Sequence, residues 1–439
     1  MSKLLNQQSF LSSFFSVLFG HRPEHSIKQT NHLPNRLHLP TIDNRAAWSA
    51  YWRAKNQPWR TEPEIDTKRQ EELAQRRAIL PDVKQGTYPF RNMKLSRADV
   101  EWLLATHKNG RGPIDWSGRG LRDCQGLDLR GADLSHVNLS RLPLTGTYGA
   151  LDWEEWLSAT AEQREAAVIH LEEANLGFSH LERSILRGAH LEKAILYGAH
   201  LEGAYLYTTH LEGANLKRTF FDGSTQLGKI VLASEKFGAA SLADVHWGDV
   251  NLTEVNWELL KETGEEQKVH WQRKQDGTTI NSERQLNEYH RAVRTNRQLT
   301  YVLQGQGLND DAARFAYRAQ LLQRMALRQQ RKFGQYLFSL FLDLLTGYGY
   351  KPSRSFLAYL IVIVAFATTY YVLGQIVGPS LSPVGSVVFS MTSFHGRGFF
   401  PGGIKLDDPL TVIAAIEAFV GLLIEVTFIA TLTQRLFRK

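Results

Sequence analysis

Five histidines stand ten residues apart, at His170, His180, His190, His200 and His210. Each is followed two positions later by a glutamate: Glu172, Glu182, Glu192, Glu202 and Glu212. Imidazole beside carboxylate is the chemistry of metal ligation and of proton exchange near neutral pH. A second group of polar residues lies in the most apolar part of the chain. Thr392, Ser393, His395, Gly396, Arg397, Gly398 and Phe399 form one short segment, and Glu417, Gly421 and Glu425 follow at helical spacing. Ionisable side chains in such surroundings are functional or paired. The sequence offers no activated nucleophile and no phosphate-binding loop. Cys124 stands alone, which excludes an intrachain disulfide and a cysteine metal cluster. No catalytic residue and no cofactor are expected, and the protein is not read as an enzyme.

The histidines ride on a longer pattern. Large apolar residues recur every five positions, first at Leu129, Leu134, Leu139 and Leu144. Residues 152–170 interrupt the series; Trp153, Trp156, Leu157 and Val168 suit an inserted helix. The series resumes from Leu171 through Leu176, Leu181, Leu186, Leu191, Leu196, Leu201, Leu206, Leu211 and Leu216 to Phe221. After a one-residue slip it continues through Leu227, Leu232, Phe237, Leu242, Trp247, Leu252 and Trp257. Two positions before most of these is a small residue, such as Ala174, Ser179, Ala189 or Ala214. A period of five is neither helical nor that of a simple strand, and requires a backbone that turns a corner in each repeat.

Gly131-Ala132-Asp133-Leu134-Ser135 and Glu173-Ala174-Asn175-Leu176-Gly177 resemble the pentapeptide-repeat family, whose consensus is A-(D/N)-L-x-x. The resemblance implies a right-handed quadrilateral β-helix with four repeats per coil, stacked at about 4.8 Å. Ten residues are then half a coil. His170, His190 and His210 would stack on one face, and His180 and His200 on the opposite one. A flat ladder does not converge on a point as metal ligands must, so it is read as an outward-facing product of duplication, with no metal site.

The formal net charge is +7 over 439 residues, with a mean hydropathy of -0.29. The charge is uneven. Ile114–Trp257 holds 12 Lys and Arg against 20 Asp and Glu, a net of -8, so a simple nucleic-acid binder is not indicated. An apolar cluster at Phe10–Phe19 lacks a cleavage signature and is read as a retained, docked helix. Ser96 and Asp99 resemble a capping box. Beyond the repeats, Glu283–Val302 and Asp311–Lys332 read as helices joined at Gly305-Gln306-Gly307. Ser282 is the expected N-cap of the first, and Asn309 or Asp310 that of the second. The basic run Arg314, Arg318, Arg324, Arg328, Arg331 and Lys332 suits anionic headgroups or a solvated face, and Phe333–Leu345 suits a bilayer surface.

Phe356–Val377 and Leu410–Leu432 are long enough to span about 30 Å of hydrocarbon. Lys351 and Arg354 precede the first, and Arg435, Arg438 and Lys439 follow the second, which places both ends in the cytoplasm. Between them Val384–Phe394, too short to cross, runs into Gly396-Arg397-Gly398 and Pro401-Gly402-Gly403. The order resembles the pore module of the two-transmembrane potassium-channel superfamily. Phe389-Ser390-Met391-Thr392-Ser393-Phe394 stands for the end of its pore helix, Gly398-Phe399 for its Gly-Tyr, and Gly421 for its inner-helix hinge. The filter departs from that family: Gly396-Arg397-Gly398-Phe399-Phe400 replaces Thr-Val-Gly-Tyr-Gly, so potassium selectivity does not carry over. An Arg397 ring facing the pore would make an anion channel. Turned inward onto a carboxylate such as Glu417, Arg397 is a strut, and that is the expected arrangement. Four Glu425 carboxylates would then gather cations.

The expected organisation is a helical arm (1–110), the β-helix with its insertion (111–258), a helical linker with an interfacial helix (259–350) and the pore domain (351–439). The expected function is a homotetrameric, inner-membrane, cation-conducting channel with a cytoplasmic regulatory or assembly rod. Its partners are inorganic ions, lipid and copies of itself, with no nucleic acid. The alternatives are an anion channel and, because the repeat family includes acidic rods that mimic DNA, a membrane-anchored binding or scaffold protein.

Overall fold

The computed structural model describes residues 39–41, 43–107, 126–275, 282–376, 380–396 and 408–437. Met1–Asn44 and Arg45–Lys439 are separate units, and the helices and strands among the described residues all belong to the second. The apolar cluster at Phe10–Phe19, Cys124, Arg397, Gly398, Phe399 and Pro401-Gly402-Gly403 lie outside the described residues.

The arm opens with α1 (Arg45–Ala54) and α2 (Thr67–Arg77), the latter capped by Asp66, whose side chain accepts from the Arg69 amide. β1 (Met93–Lys94) leads into α3 (Arg97–Ala105), which begins with the expected capping box of Ser96 and Asp99. The helix turns Val100, Leu103 and Leu104 onto the first repeats, and these join the same apolar core. β1 pairs in parallel with β2 (Ala132–Asp133). The buried Arg97 guanidinium reaches the carbonyl oxygens of Asn138 (2.8 Å) and Ser140 (3.1 Å), so the open edge of the first coil keeps its hydrogen bonds.

From His170 to Phe220 the backbone returns beside itself in parallel every 20 residues. His170 meets His190 and then His210; Asn175 meets Ile195 and then Asn215. Each repeat turns through a residue in the left-handed region: Glu173, Phe178, Arg183, Gly188, Lys193 and Gly198 all have φ between 56 and 67°. That conformation costs a side-chain-bearing residue free energy. It is offset by two inward side chains per repeat: Leu191, Leu196, Leu201 and Leu206 are fully buried, as are Ala194, Ala199 and Ala204. Truncating one such leucine costs about 2–5 kcal/mol.

The insertion is two short helices, α4 (Trp153–Ser158) and α5 (Ala161–Ala167), each with its own capping box, and bridged partners lie 37 residues apart across it, as at Asp133 and His170. A second excursion escapes the periodic reading. β3 (Ala233–Ser234) and β4 (Gly238–Ala239) form a small antiparallel hairpin, and Phe237 in its turn is only half-buried. Phe237 is therefore not an inward repeat position. The coil resumes at Leu242, because five residues are spent on the hairpin and the register is regained on its far side.

The other end is closed by helices. α6 (Gly264–Gln275), which the sequence reading did not separate, opens with Glu265 and Glu266. Glu265 accepts from the Leu242 and Ala243 amides. On α7 (Ser282–Gly305), Gln298 accepts from Asp244 N and donates to Val245 O, and Gln306, just past the helix, does the same for Leu252 N and Val250 O. Two amides eight residues apart thus stand in for the next strand. α8 (Asn309–Gln329) packs Phe315 edge-on to Trp257 at 6.0 Å. Its N-cap is Leu308, not Asn309 or Asp310. Asp310 and Asp311 fall inside the first turn, where they face the positive helix end. The basic run of α8 also differs from expectation: Arg318 pairs with Glu262 and Glu266, Arg324 with Asp343, and Arg314 donates to the Trp257 carbonyl. Those three cations hold helices together and do not all face outward.

α9 (Phe333–Thr346) is short and apolar. α10 (Pro352–Ile376) and α12 (Pro409–Phe437) are long and apolar enough to cross a membrane, and α11 (Pro383–Phe394) lies between them in sequence. Only 17% and 22% of the most apolar windows of α10 and α12 are buried, whereas the core helix of a soluble protein would be mostly buried.

Candidate functional site

Glu417 is the centre of the three-helix unit. The residue is fully buried on α12, and its carboxylate receives the Tyr370 hydroxyl of α10 at 2.6 Å and lies 2.5 Å from Ser390 Oγ of α11. Ser390 Oγ is also 3.1 Å from the Ile363 carbonyl oxygen of α10. One carboxylate therefore joins all three helices through two hydroxyl groups. A buried carboxylate without such donors costs several kcal/mol (about 3–5). Phe389 packs edge-on to Tyr370 at 4.7 Å, and Leu381, Leu410 and Ala414 close the cluster. The strut from Arg397 to Glu417 rests on a residue outside the described set. Tyr370 was not singled out from the sequence, and Ser390 was named only as part of the pore-helix segment, without a role. Their signal was a hydroxyl inside an apolar run within reach of a lone glutamate.

One turn further along α12, Gly421 meets the C-terminal end of α11. A Cβ there would strike the Phe394 carbonyl group, with the carbon at 2.9 Å, so glycine is required for the approach of the two backbones. Another turn on, Glu425 pairs with His395 Nδ1, and both side chains are partly exposed. Glu417, Gly421 and Glu425 thus follow one another turn by turn along α12, meeting Ser390, Phe394 and His395 at and just past the C-terminal half of α11. Thr392 is half-exposed and its hydroxyl donates back to the helix carbonyls of Val388 and Phe389. Ser393 is buried, and Gly396 adopts φ 65° in the turn that ends α11.

The histidines form two columns. His170, His190 and His210 stack with ring centroids 5.0 and 5.2 Å apart, their planes within 11° of parallel. His180 and His200 stack at 5.0 Å on the other face, and the column continues through Phe220 (4.6 Å) to His246 (4.4 Å). Phe220 keeps the ten-residue count but is not a histidine, and His246 escapes it because 26 residues separate it from Phe220. Each ladder histidine directs Nδ1 at its own glutamate, at 3.0, 2.7, 3.2, 3.1 and 3.3 Å from His170 to His210. That bond raises His180 and His210 above the usual imidazole range. Burial works to raise Glu182, but the His180 bond, with further donors including Thr145, brings it below the usual carboxylate range.

The chain carries pentapeptide repeats: a family model described as pentapeptide repeats (8 copies) matches residues 169–206. Among solved structures it is similar to HetL of the cyanobacterium Nostoc, a pentapeptide repeat protein involved in heterocyst differentiation regulation. Identity is 18% and the TM-score 0.14, with 31% of this chain and 58% of HetL covered. It is similar also to QnrB1, a plasmid-mediated fluoroquinolone resistance protein (15% identity, TM-score 0.14, 28% of this chain and 65% of QnrB1). A third is Rfr23 of the cyanobacterium Cyanothece (24% identity, TM-score 0.11, 30% of this chain and 84% of Rfr23). The chain thus spans under two thirds of the length of HetL and QnrB1. No curated protein matches it.

Proposed function

We propose that the protein is a homotetrameric ion channel of the inner (plasma) membrane that conducts cations, with its repeats wound as a cytoplasmic right-handed quadrilateral β-helix serving regulation or assembly. The observation that carries the proposal is α11. A helix of twelve mostly apolar residues, too short to cross a bilayer, packs against two helices of spanning length and is fastened to them by the Ser390–Glu417–Tyr370 cluster and the Gly421–Phe394 contact. Backbone that enters a membrane and turns back is tolerated where it is buried in protein or lines water. A single chain covers α11 on one side only, where Ser386, Phe389, Ser390, Ser393 and Phe394 are buried. Val384, Val388 and Met391 of α11, and Ile416 and Phe419 of α12, stay exposed in it. Four copies around an axis would bury the inner part of this surface and leave the outer part to lipid. The basic residues flanking α10 and α12 favour cytoplasmic ends, and Glu425 beside the end of α11 favours cations. Native mass measurement in mild detergent, with recording from reconstituted protein, tests the proposal: a monodisperse monomer or dimer would refute it.

A further inference from the structure

The ladder does converge, through its carboxylates. Three of the five ladder histidines, His190, His200 and His210, are each grouped with their own glutamate and with the glutamate one coil before. Glu172, His190 and Glu192 form one such triad, Glu182, His200 and Glu202 another, and Glu192, His210 and Glu212 a third. Within each, one ligand atom per residue lies within 4.8 Å of the others. A count of imidazoles alone misses this, because the third member comes from a neighbouring turn of the coil.

A second observation concerns the oxygens not aimed at histidine. Oε2 of Glu172, Glu192, Glu202 and Glu212 is buried and has no hydrogen-bond partner among the described residues. Glu192 and Glu212 are only 7% and 6% exposed. Buried carboxylate oxygens are normally satisfied, and two stacked on successive turns repel one another. On the first column, His190 Nε2 lies 3.2 Å from Glu165 Oε1. An Nε2–H donated to Glu165 leaves the Nδ1 lone pair facing the Glu192 carboxylate, acceptor against acceptor, unless a proton or a cation lies between. A carboxylate behind a ligating imidazole is the usual way in which a metal-bound histidine is oriented.

We propose that these triads bind divalent transition-metal ions of the zinc class, first at Glu192–His210–Glu212, with Glu192 bridging to a second ion at Glu172–His190–Glu192 and a third site at Glu182–His200–Glu202. Imidazole nitrogen with carboxylate oxygen suits zinc, cobalt(II) or nickel(II) better than calcium or magnesium. Ligand atoms about 2.1 Å from a tetrahedral zinc ion are about 3.4 Å from one another. The Nδ1 to Oε1 separations of His190 (3.2 Å) and His210 (3.3 Å) are close to that distance. The ion displaces the proton shared by the pair, and solvent completes its coordination from the exposed side of the ring.

The test uses the full-length protein in detergent, stripped with a chelator, dialysed and titrated with zinc, then with cobalt(II), whose absorption spectrum reports nitrogen and oxygen ligation. Wild type binds zinc at micromolar concentration, with more than one ion per chain, and its thermal transition rises. Glu192→Gln removes more bound metal than Glu182→Gln, since Glu192 serves two triads. His246→Ala, at the end of a column without a glutamate partner, leaves binding unchanged. Wild type that holds no zinc at micromolar concentration overturns the proposal, whatever the variants do. So does equal binding by wild type and folded Glu192→Gln protein.

Discussion

The guanidinium of Arg324 on α8 lies 2.7 Å from the carboxylate of Asp343 on α9, and the same carboxylate receives the Tyr317 hydroxyl and Arg354 of α10, each at 2.9 Å. The helices that close the repeat coil are joined through this one acidic group to the helix proposed to enter the membrane. Asp343→Asn should cost about 2 kcal/mol at neutral pH, the usual loss for charge-assisted hydrogen bonds. Burial works to raise the Asp343 carboxyl, yet the bonds from Arg324 and Tyr317 bring it below the usual range. Its contribution is therefore present above the unfolded value of about 3.9 and is lost as pH falls through the lower folded value. The stability difference between wild type and Asp343→Asn, followed by chemical denaturation, should shrink below about pH 4. A difference that stays constant through that range would separate Asp343 from the account.

Gly421→Ala places a methyl group against the Phe394 carbonyl and should push α11 and α12 apart, with loss of oligomer and of ion flux. Gly305→Ala adds a methyl group with nothing within 4 Å and should be silent. Size-exclusion profiles of the two variants decide between a close-packing role for Gly421 and a purely flexible one.

The Glu417 cluster should behave as a unit. Tyr370→Phe and Glu417→Gln each disturb the same hydrogen bond, so the double variant should be less damaged than the sum of the single ones, with a coupling of about 0.5–3 kcal/mol. Additivity within error would show that the buried carboxylate does not depend on Tyr370.

In the coil, Leu191→Asp or Leu201→Asp buries a carboxylate where both leucines are fully enclosed, and should abolish the cooperative transition of the repeats. His200→Ala removes one stacked ring on a partly exposed face and should change metal-free stability by about 1 kcal/mol or less. Circular dichroism melts of chelator-treated protein make the comparison.

Much of the coil was legible because one leucine and one small residue per five positions leave few other backbones possible, and Leu171 to Leu216 keep that rhythm unbroken. The lengths of α10 and α12 were legible for the same reason: lipid-compatible composition is additive along the chain. Phe237 was misjudged because periodicity carries no record of a hairpin that leaves the coil and rejoins it. The edge-capping by Gln298 and Gln306, the pairing of Arg318 with Glu266, and the bonds from Tyr370 and Ser390 to Glu417 are contacts between residues far apart in the chain. In sequence an amide or an arginine on a helix looks the same whether it caps an edge or faces water. The convergence of Glu192 on His210 was hidden by the same distance: the ten-residue repeat shows each histidine beside its own glutamate, and only the stacked turns bring the next one in.

The channel proposal is tested most directly by the reversal potential of purified, reconstituted wild-type protein in a roughly tenfold KCl gradient, with Glu425→Gln and Arg397→Ala alongside. Wild type should reverse near the potassium equilibrium potential. Glu425→Gln should lower cation conductance by a factor on the order of several and weaken block by Mg²⁺. Arg397→Ala, if Arg397 is a strut, should impair assembly and leave the reversal potential of surviving channels in place. Wild type that reverses near the chloride equilibrium potential, or a bilayer that stays silent with folded tetramer present, would contradict the account.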